Sequence, residues 1–492
     1  GQVAMAEAVG AALREGEHLL VQAGTGTGKS LAYLVPALVH DKRVVVATAT
    51  LALQHQLVER DLPRLVEAVK GAPGVDTSYA VLKGRSNYAC LHRIREGVPD
   101  DQGVLVDVPQ GSMAEKVLEL RAWAEQEAEG KGSGERDAAP RHTDREWRQV
   151  SVSHRDCLGA SKCPFGQECF AEVAREKAHR SHLVITNHSL LAIDAIEGVP
   201  MIPDYDAVVI DEAHELTARV TQAATDELTA ADVERAARRS VRHVGGTEAD
   251  DLADAAEALR DAMAEARPGR IERLGEELSD ALVLVRDAAR ACLSAYPKAS
   301  DSQGSKGGPG EGDADPGLTQ AKGTVQDVFA VAERMAAAAA ADVLWLNEGG
   351  SGEHSRIPPR LCVAPLEVWG PMRDKLLADK TVVMTSATLM LGGDFGALAS
   401  NVGLKPSERV RPGVDTGGLG EDALPWVGLD VGSPFDYAQQ GILYVARHLP
   451  PPGRDGLVKA QLDEIVDLVD AAEGRTLGLF SSRRAAEAAA EE

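Results

Sequence analysis

The sequence predicts a doubly wound α/β protein, and three observations carry that expectation. A glycine-rich turn, "AGTGTGKS" at 23–30, lies between a short apolar run and a helical pattern. Several other apolar runs of strand length end in small polar residues. Runs and helical segments alternate, which is the pattern of a parallel sheet covered on both faces.

At 492 residues the chain exceeds one ordinary core, and about 150 residues per domain gives about three units. Hydrophobic residues make up 44%, enough for several cores. No run of 18 or more apolar residues occurs, so no membrane-spanning helix is expected, and no secretory-type leader is seen. The net charge of −24, from 76 acidic and 52 basic residues, argues against bulk attraction to nucleic acid. A local basic groove remains compatible with it. Arg141, Arg145, Arg148, Arg155, Lys162, Arg175, Lys177 and Arg180 cluster with four histidines in 141–182, although a solvated face reads equally well there. Six cysteines in this length are no secreted disulfide framework, and a reducing cytoplasm is the expected location.

Taken in order, His18 to Gln22 reads as a buried strand ahead of the glycine-rich turn. Gly24, Gly26 and Gly28 let the backbone curl so that its N–H groups face phosphate oxygens, and the following helix N-terminus adds favourable partial charge. Ala23, Thr25 and Thr27 complete this loop; a strict phosphate-loop pattern has glycine at the place of Ala23. Lys29 is expected to reach the β- and γ-phosphates and Ser30 to bind Mg²⁺. "RVVVATAT" (43–50), "HLVITNH" (182–188), "TVVMTSATL" (381–389) and "RTLGLFSS" (475–482) read as further strands. In "AVVIDEAHEL", Ala207 to Ile210 is a strand with Asp211 and Glu212 at its carboxyl end, where parallel sheets bind ligands. Asp211 is expected to hold Mg²⁺ and Glu212 to accept a proton from an attacking water. An isolated acidic pair would also suit a helix N-terminus; the phosphate loop makes the catalytic reading the stronger one.

Cys157, Cys163 and Cys169 recur every six residues, and Cys90 lies 67 positions before the first of them. Four thiolates hold either a tetrahedral Zn²⁺ or an iron–sulfur cluster. Structural zinc usually uses close C-x₂₋₄-C pairs, whereas these gaps of five residues suit a larger cluster. Such a group would staple an insert with little apolar core of its own. Cys292 and Cys362 sit in apolar surroundings and read as core, as do Trp345 and Trp369. Between the DEAH strand and "TSATL", roughly 145 residues show helical spacing without strong strand signals, interrupted by an acidic flexible linker at 299–317.

These pieces together resemble a known family. "AGTGTGKS", "ATATLALQHQL", "DEAH" at 211–214 and "TSATL" occur in the order of superfamily 2 helicases, and "KGRSNYAC" (83–90), the cysteine triplet and "SPFDY" (433–437) narrow the likeness to the DinG-type (XPD/DinG-like) iron–sulfur helicases. The resemblance covers nearly the whole chain, and helicase loops often carry alanine at the place of Ala23. It implies a RecA-like parallel-sheet domain at 1–85, 182–215 and 359–392. Into this would be inserted an iron–sulfur domain at 86–181 and a helical, arch-like domain at 216–358, followed by the start of a second RecA-like domain at 393–492. It further implies adenine recognition by Gln2, contact with a single strand by Thr48, Thr50 and Gln54, and coupling of hydrolysis to movement through His214, Ser386 and Thr388. It assigns a [4Fe–4S] cluster to Cys90, Cys157, Cys163 and Cys169. Tyr88, beside Cys90, is a further candidate for DNA contact.

The expected activity is that of an ATP-dependent DNA helicase moving 5′ to 3′ on single-stranded DNA, acting at junctions in repair or in removing replication obstacles. A nucleotide-gated DNA-binding protein and an RNA helicase are the alternatives. Because the chain opens on Gly1 and lacks the family's later motifs, a truncated, poorly hydrolysing piece is expected.

Overall fold

The computed structural model describes residues 1–492 apart from 73–74, 97–111, 155–156, 197, 298–315, 350, 353–354, 357, 412–418, 421, 452 and 454–455. Arg155, and the linker expected at 299–317 as far as residue 315, lie outside the described residues. The chain divides into two compact units, Gly1–Pro434 and Phe435–Glu492. Among the described residues no helix is long and apolar enough to cross a membrane.

Among the described residues, the first unit contains every strand. In chain order these are β1 (His18–Gln22), β2 (Val44–Thr48), β3 (Tyr79–Val81), β4 (Leu183–Asn187), β5 (Ala207–Asp211), β6 (Asp226–Leu228), β7 (Gly269–Ile271), β8 (Asp342–Asn347), a short hairpin of β9 (Ser351–Gly352) and β10 (Ser355–Arg356), β11 (Arg360–Pro365), β12 (Thr381–Ser386) and β13 (Trp426–Asp430). Seven of them form one sheet in the order β13-β1-β12-β5-β2-β4-β3. All its pairings are parallel. Alternation explains why the central strands are continuously apolar. Val44 and Val46 pack with Met5, Tyr33 and Leu34 on one face, while Val45 and Ala47 pack with Leu190, Leu216 and Met384 on the other. The sheet is therefore the α/β, doubly wound core that the sequence predicts.

Two segments interrupt it. Between β3 and β4 the chain makes the helices Leu91–Glu96, Ser112–Gly130, Asp144–Trp147 and Phe170–His179. Contrary to the expectation of little apolar content, this insert has its own cluster of Tyr88, Leu91, Ile94, Leu120, Ala124, Trp147, Val150 and Phe170. Its members are scattered through the sequence, so no local periodicity reveals them. After β5, the helices Ala230–Ser240, Glu248–Glu265, Glu276–Ala295 and Pro316–Ala337 pack on a four-stranded antiparallel sheet, β6-β11-β8-β7. This corrects a purely helical reading: β6 and β7 have three residues each, too few for alternation to register. It also moves the boundary, because β11 at 360–365 pairs with β6 and β8 rather than with the parallel sheet.

Two further expectations are corrected near the end of the chain. Residues from 393 were assigned to a second domain, but β13 pairs with β1 from His18↔Trp426 to Gln22↔Asp430 and completes the first sheet. The strand expected at 475–482 is extended coil ahead of the helix Arg483–Glu491, with Leu477 and Leu479 exposed. A strand needs a paired neighbour, and no ladder forms there among the described residues. Trp369, expected in a core, is 45% exposed and donates its indole N–H to Glu367 Oε2 at 2.5 Å.

Candidate functional site

Parallel register brings several strand ends level. Gln22 pairs with both Ser386 and Asp430, and Thr385 pairs with Asp211. Whatever follows these residues therefore meets at one edge of the sheet, the carboxyl edge.

After β1 the chain turns through Ala23 to Gly28 into the helix Lys29–Val39. Gly26 and Gly28 both take φ of 81°, a left-handed conformation costly for other residues. A Cβ on Gly24 would stand 2.8 Å from the Ser433 Cβ, so this position admits no side chain without rearrangement. The Thr27 hydroxyl closes the turn on the Gly24 carbonyl at 2.7 Å. Ala23 is buried and its N–H donates to the Ser386 carbonyl at 2.9 Å, tying the loop to β12. Gln2 reaches the loop from outside, its Nε2 donating to the Gly28 carbonyl at 3.1 Å.

Opposite the loop, Glu212 follows β5 in a left-handed conformation, φ 52° and ψ 45°. For a residue with a side chain this is stored strain. The turn swings its carboxylate toward the loop, where Oε1 lies 3.3 Å from Lys29 Nζ. The other oxygen, Oε2, accepts from the Ser386 hydroxyl at 2.9 Å, and Ser386 Oγ lies 2.8 Å from His214 Nδ1. Thr388 joins through its N–H, 3.3 Å from Ser386 Oγ. Asp211 is buried, with Oδ2 accepting from the Tyr33 hydroxyl at 3.0 Å and Oδ1 from the Glu212 N–H at 2.9 Å. Burial, then the neighbouring Glu212 charge, raises its carboxyl above the usual range. Nearby cationic charge would stabilise it.

The residues expected to contact a strand fare differently. Thr50 is exposed, and its Oγ1 accepts from Leu53 N to cap the helix Leu51–Gln56. Thr48 and Gln54 are 0% and 1% exposed, their side chains given to the carbonyls of Thr50 and Ile185. Tyr88 is 2% exposed, with its phenol oxygen accepting from the Lys83 N–H. These three have no face open to a strand, which corrects the expectation. Apolar surroundings claimed their bulk, and main-chain groups took the Thr48 hydroxyl, the Gln54 amide nitrogen and the Tyr88 phenol, while Gln54 Oε1 is buried without a hydrogen-bond partner among the described residues. Three polar residues that sequence reading passed over stand at this edge instead. They are Tyr33, His188, whose Nε2 lies 2.8 Å from the Asp211 carbonyl, and Gln22, whose Oε1 accepts from Leu389 and Met390 N–H. A polar side chain inside an otherwise apolar run was the available signal.

In the first insert, Cys90, Cys157, Cys163 and Cys169 are free thiols lining one cavity. Arg85, Phe165 and Glu172 also line it, and Arg85 pairs with Glu172. The Cys157 sulfur accepts from the Gly159 N–H at 3.4 Å. Cys169 is also the N-cap of the helix Phe170–His179. Burial pushes the Cys90 thiol up to about 11, so the protein alone disfavours thiolate there. Among the described residues no three His, Cys, Asp or Glu side chains converge on a single-ion site. Of the basic stretch, Arg141, Arg145, Arg148, Lys162, Lys177 and Arg180 are exposed.

A curled glycine loop facing an acidic strand end across a parallel sheet defines a nucleoside triphosphatase of the phosphate-loop class. Residues 4–99 match the family described as DEAD/DEAH box helicase. The chain is 46% identical to the ATP-dependent helicase DinG of Mycobacterium tuberculosis, over all of this chain and 72% of that protein. It is 30% identical to the ATP-dependent DNA helicase YoaA of Escherichia coli K12, over 97% of this chain and 70% of that one. A solved structure titled XPD_Helicase aligns with TM-score 0.44 and 14% identity, covering 96% of this chain and 70% of its own. The chain belongs to the DinG family of helicases.

Proposed function

We propose that this protein is an ATP-dependent DNA helicase that moves 5′ to 3′ on single-stranded DNA, acts at DNA junctions in repair or obstacle removal, and carries a [4Fe–4S] cluster. The observation that carries the motor reading is the approach of Lys29 to Glu212 across the glycine loop, with Asp211 buried behind them. ATP would lie along Ala23–Ser30, its phosphates facing loop N–H groups and the helix N-terminus, with Gln2 placed for the base. Lys29 would leave Glu212 for the β- and γ-phosphates. Ser30 and Asp211 offer a hydroxyl and a carboxylate, the oxygen donors that Mg²⁺ takes, and the ion would neutralise phosphate charge. Glu212, freed from Lys29, would accept the proton of the attacking water. Ser386 and His214, joined to Glu212 through its second oxygen, would carry the loss of the γ-phosphate to β12 and the strand-binding loops. Thr50, exposed beside them, is the candidate contact to the DNA backbone.

The donor set supports a cluster. Four free thiols line one cavity, a donor set that an iron–sulfur cluster takes. Cys90, Cys157, Cys163 and Cys169 would ligate it as thiolates, and the cluster would staple the insert to a fixed shape. Two measurements test the proposal. Glu212→Gln is expected to keep ATP binding while lowering hydrolysis about 10²- to 10⁴-fold and stopping strand displacement. Protein purified without oxygen is expected to contain iron and acid-labile sulfide near four each per chain, the composition that defines a [4Fe–4S] cluster. Zinc in place of iron, or strand displacement by Glu212→Gln at the unmodified rate, would overturn the corresponding part.

A further inference from the structure

The helix Lys29–Val39 buries Ala32, Tyr33, Leu34, Ala37 and Leu38 on its inner face. Tyr33 is the polar exception. A phenylalanine would fill that apolar site without a hydroxyl that needs a partner. The Tyr33 side chain is fully buried, and its hydroxyl donates to Asp211 Oδ2 at 3.0 Å. Ser30 lies one turn back on the same helix. The hydroxyl therefore links the loop helix to the β5 carboxylate assigned above to the cation.

We propose that Tyr33 is a positioning residue that sets the divalent-cation affinity of the nucleotide site by holding the Asp211 carboxylate in place. The inference rests on the nucleotide-site reading given above. With Tyr33 on Oδ2 and the Glu212 N–H on Oδ1, the Asp211 carboxylate is held from both ends. Its plane is set before a cation arrives, and less ordering remains to be done on binding. Without the phenol, the carboxylate can turn about its last torsion.

The test is Tyr33→Phe, which keeps the ring and removes one oxygen. Mn²⁺ is titrated into the full chain in the presence of ADP and free Mn²⁺ is read by electron paramagnetic resonance. The Mn²⁺ concentration for half-saturation is expected to rise about tenfold, the size of one lost hydrogen bond to a charged group. ADP affinity in EDTA is expected to stay within twofold. Mn²⁺ binding at or tighter than the unmodified level overturns the inference, and so does loss of ADP binding in EDTA or of the folded state, since either marks a purely structural role. Asp211→Asn is measured alongside. If it weakens Mn²⁺ binding while Tyr33→Phe does not, only the Tyr33 inference fails; if neither does, the nucleotide-site reading fails with it.

Discussion

Replacing Ser386 with alanine removes one hydroxyl from the middle of a three-residue chain. Ser386 is fully buried; its Oγ donates to Glu212 Oε2 at 2.9 Å, lies 2.8 Å from His214 Nδ1 and accepts from Thr388 N at 3.3 Å. A hydrogen bond to a charged group contributes about 1.5–3 kcal/mol, so about 2 kcal/mol of Glu212 positioning is at stake. If that energy is expressed in the transition state, kcat falls about 30-fold. KM for ATP is expected to stay within about twofold, because the loop is tied to this residue through the main chain, Ala23 N–H to Ser386 carbonyl, which the substitution preserves. The assay is steady-state ATP hydrolysis with and without single-stranded DNA, for Ser386→Ala, His214→Ala and the double variant. Both single changes break one chain, so the double variant should cost little more than the worse single one. A kcat within twofold of the unmodified protein, or fully additive effects, would refute the linkage.

Acid should destabilise the sheet domain in a defined window. His18 and His188 are both lowered to about 4, chiefly by burial. Below the unfolded value near 6.5 only the unfolded chain takes up protons at these sites, so stability falls as pH drops from about 6.5 to about 4, by up to about 3 kcal/mol per histidine. Asp211, raised by burial, offsets part of this around its own titration. Thermal melts from pH 7.5 to 4.5 check it, and an unchanged melting temperature between pH 7 and 5 would count against it. Arg373 holds both oxygens of buried Glu408, at 2.6 and 2.9 Å, and also the Gly403 carbonyl, and is itself partly buried. Arg373→Met should cost about 3 kcal/mol in urea unfolding, because buried Glu408 then keeps, among the described residues, only the Lys405 ammonium, 4.0 Å away, as a charged partner; a loss under about 1 kcal/mol would contradict this.

Much of the catalytic edge was legible because its chemistry is local. The glycine loop, the acidic pair after an apolar run and the cysteine triplet each occupy fewer than about 15 consecutive residues, a length over which residue type dictates backbone geometry. The β1 and β5 strands were legible for the same reason, since burial on both faces demands unbroken apolar runs. The antiparallel strands of the second insert were not. The two shortest find their partners far along the chain, β6 on β11 (Leu228↔Leu361) and β7 on β8 (Ile271↔Leu344), and three residues carry no period of their own.

What the amino-acid order determined by itself was therefore the inventory: a phosphate loop, an acidic strand end, four cysteines and a doubly wound sheet to hold them. Tertiary structure decided which side chains meet. It buried Thr48, Gln54 and Tyr88, and brought Tyr33 to Asp211 across 178 positions. It also gathered Cys90 to the triplet around one cavity, and gave β13 to the first sheet. The physical reason is that spacing along a chain specifies local dihedral angles and facing, whereas contact between distant residues depends on strand order and register, which only the packed sheet sets.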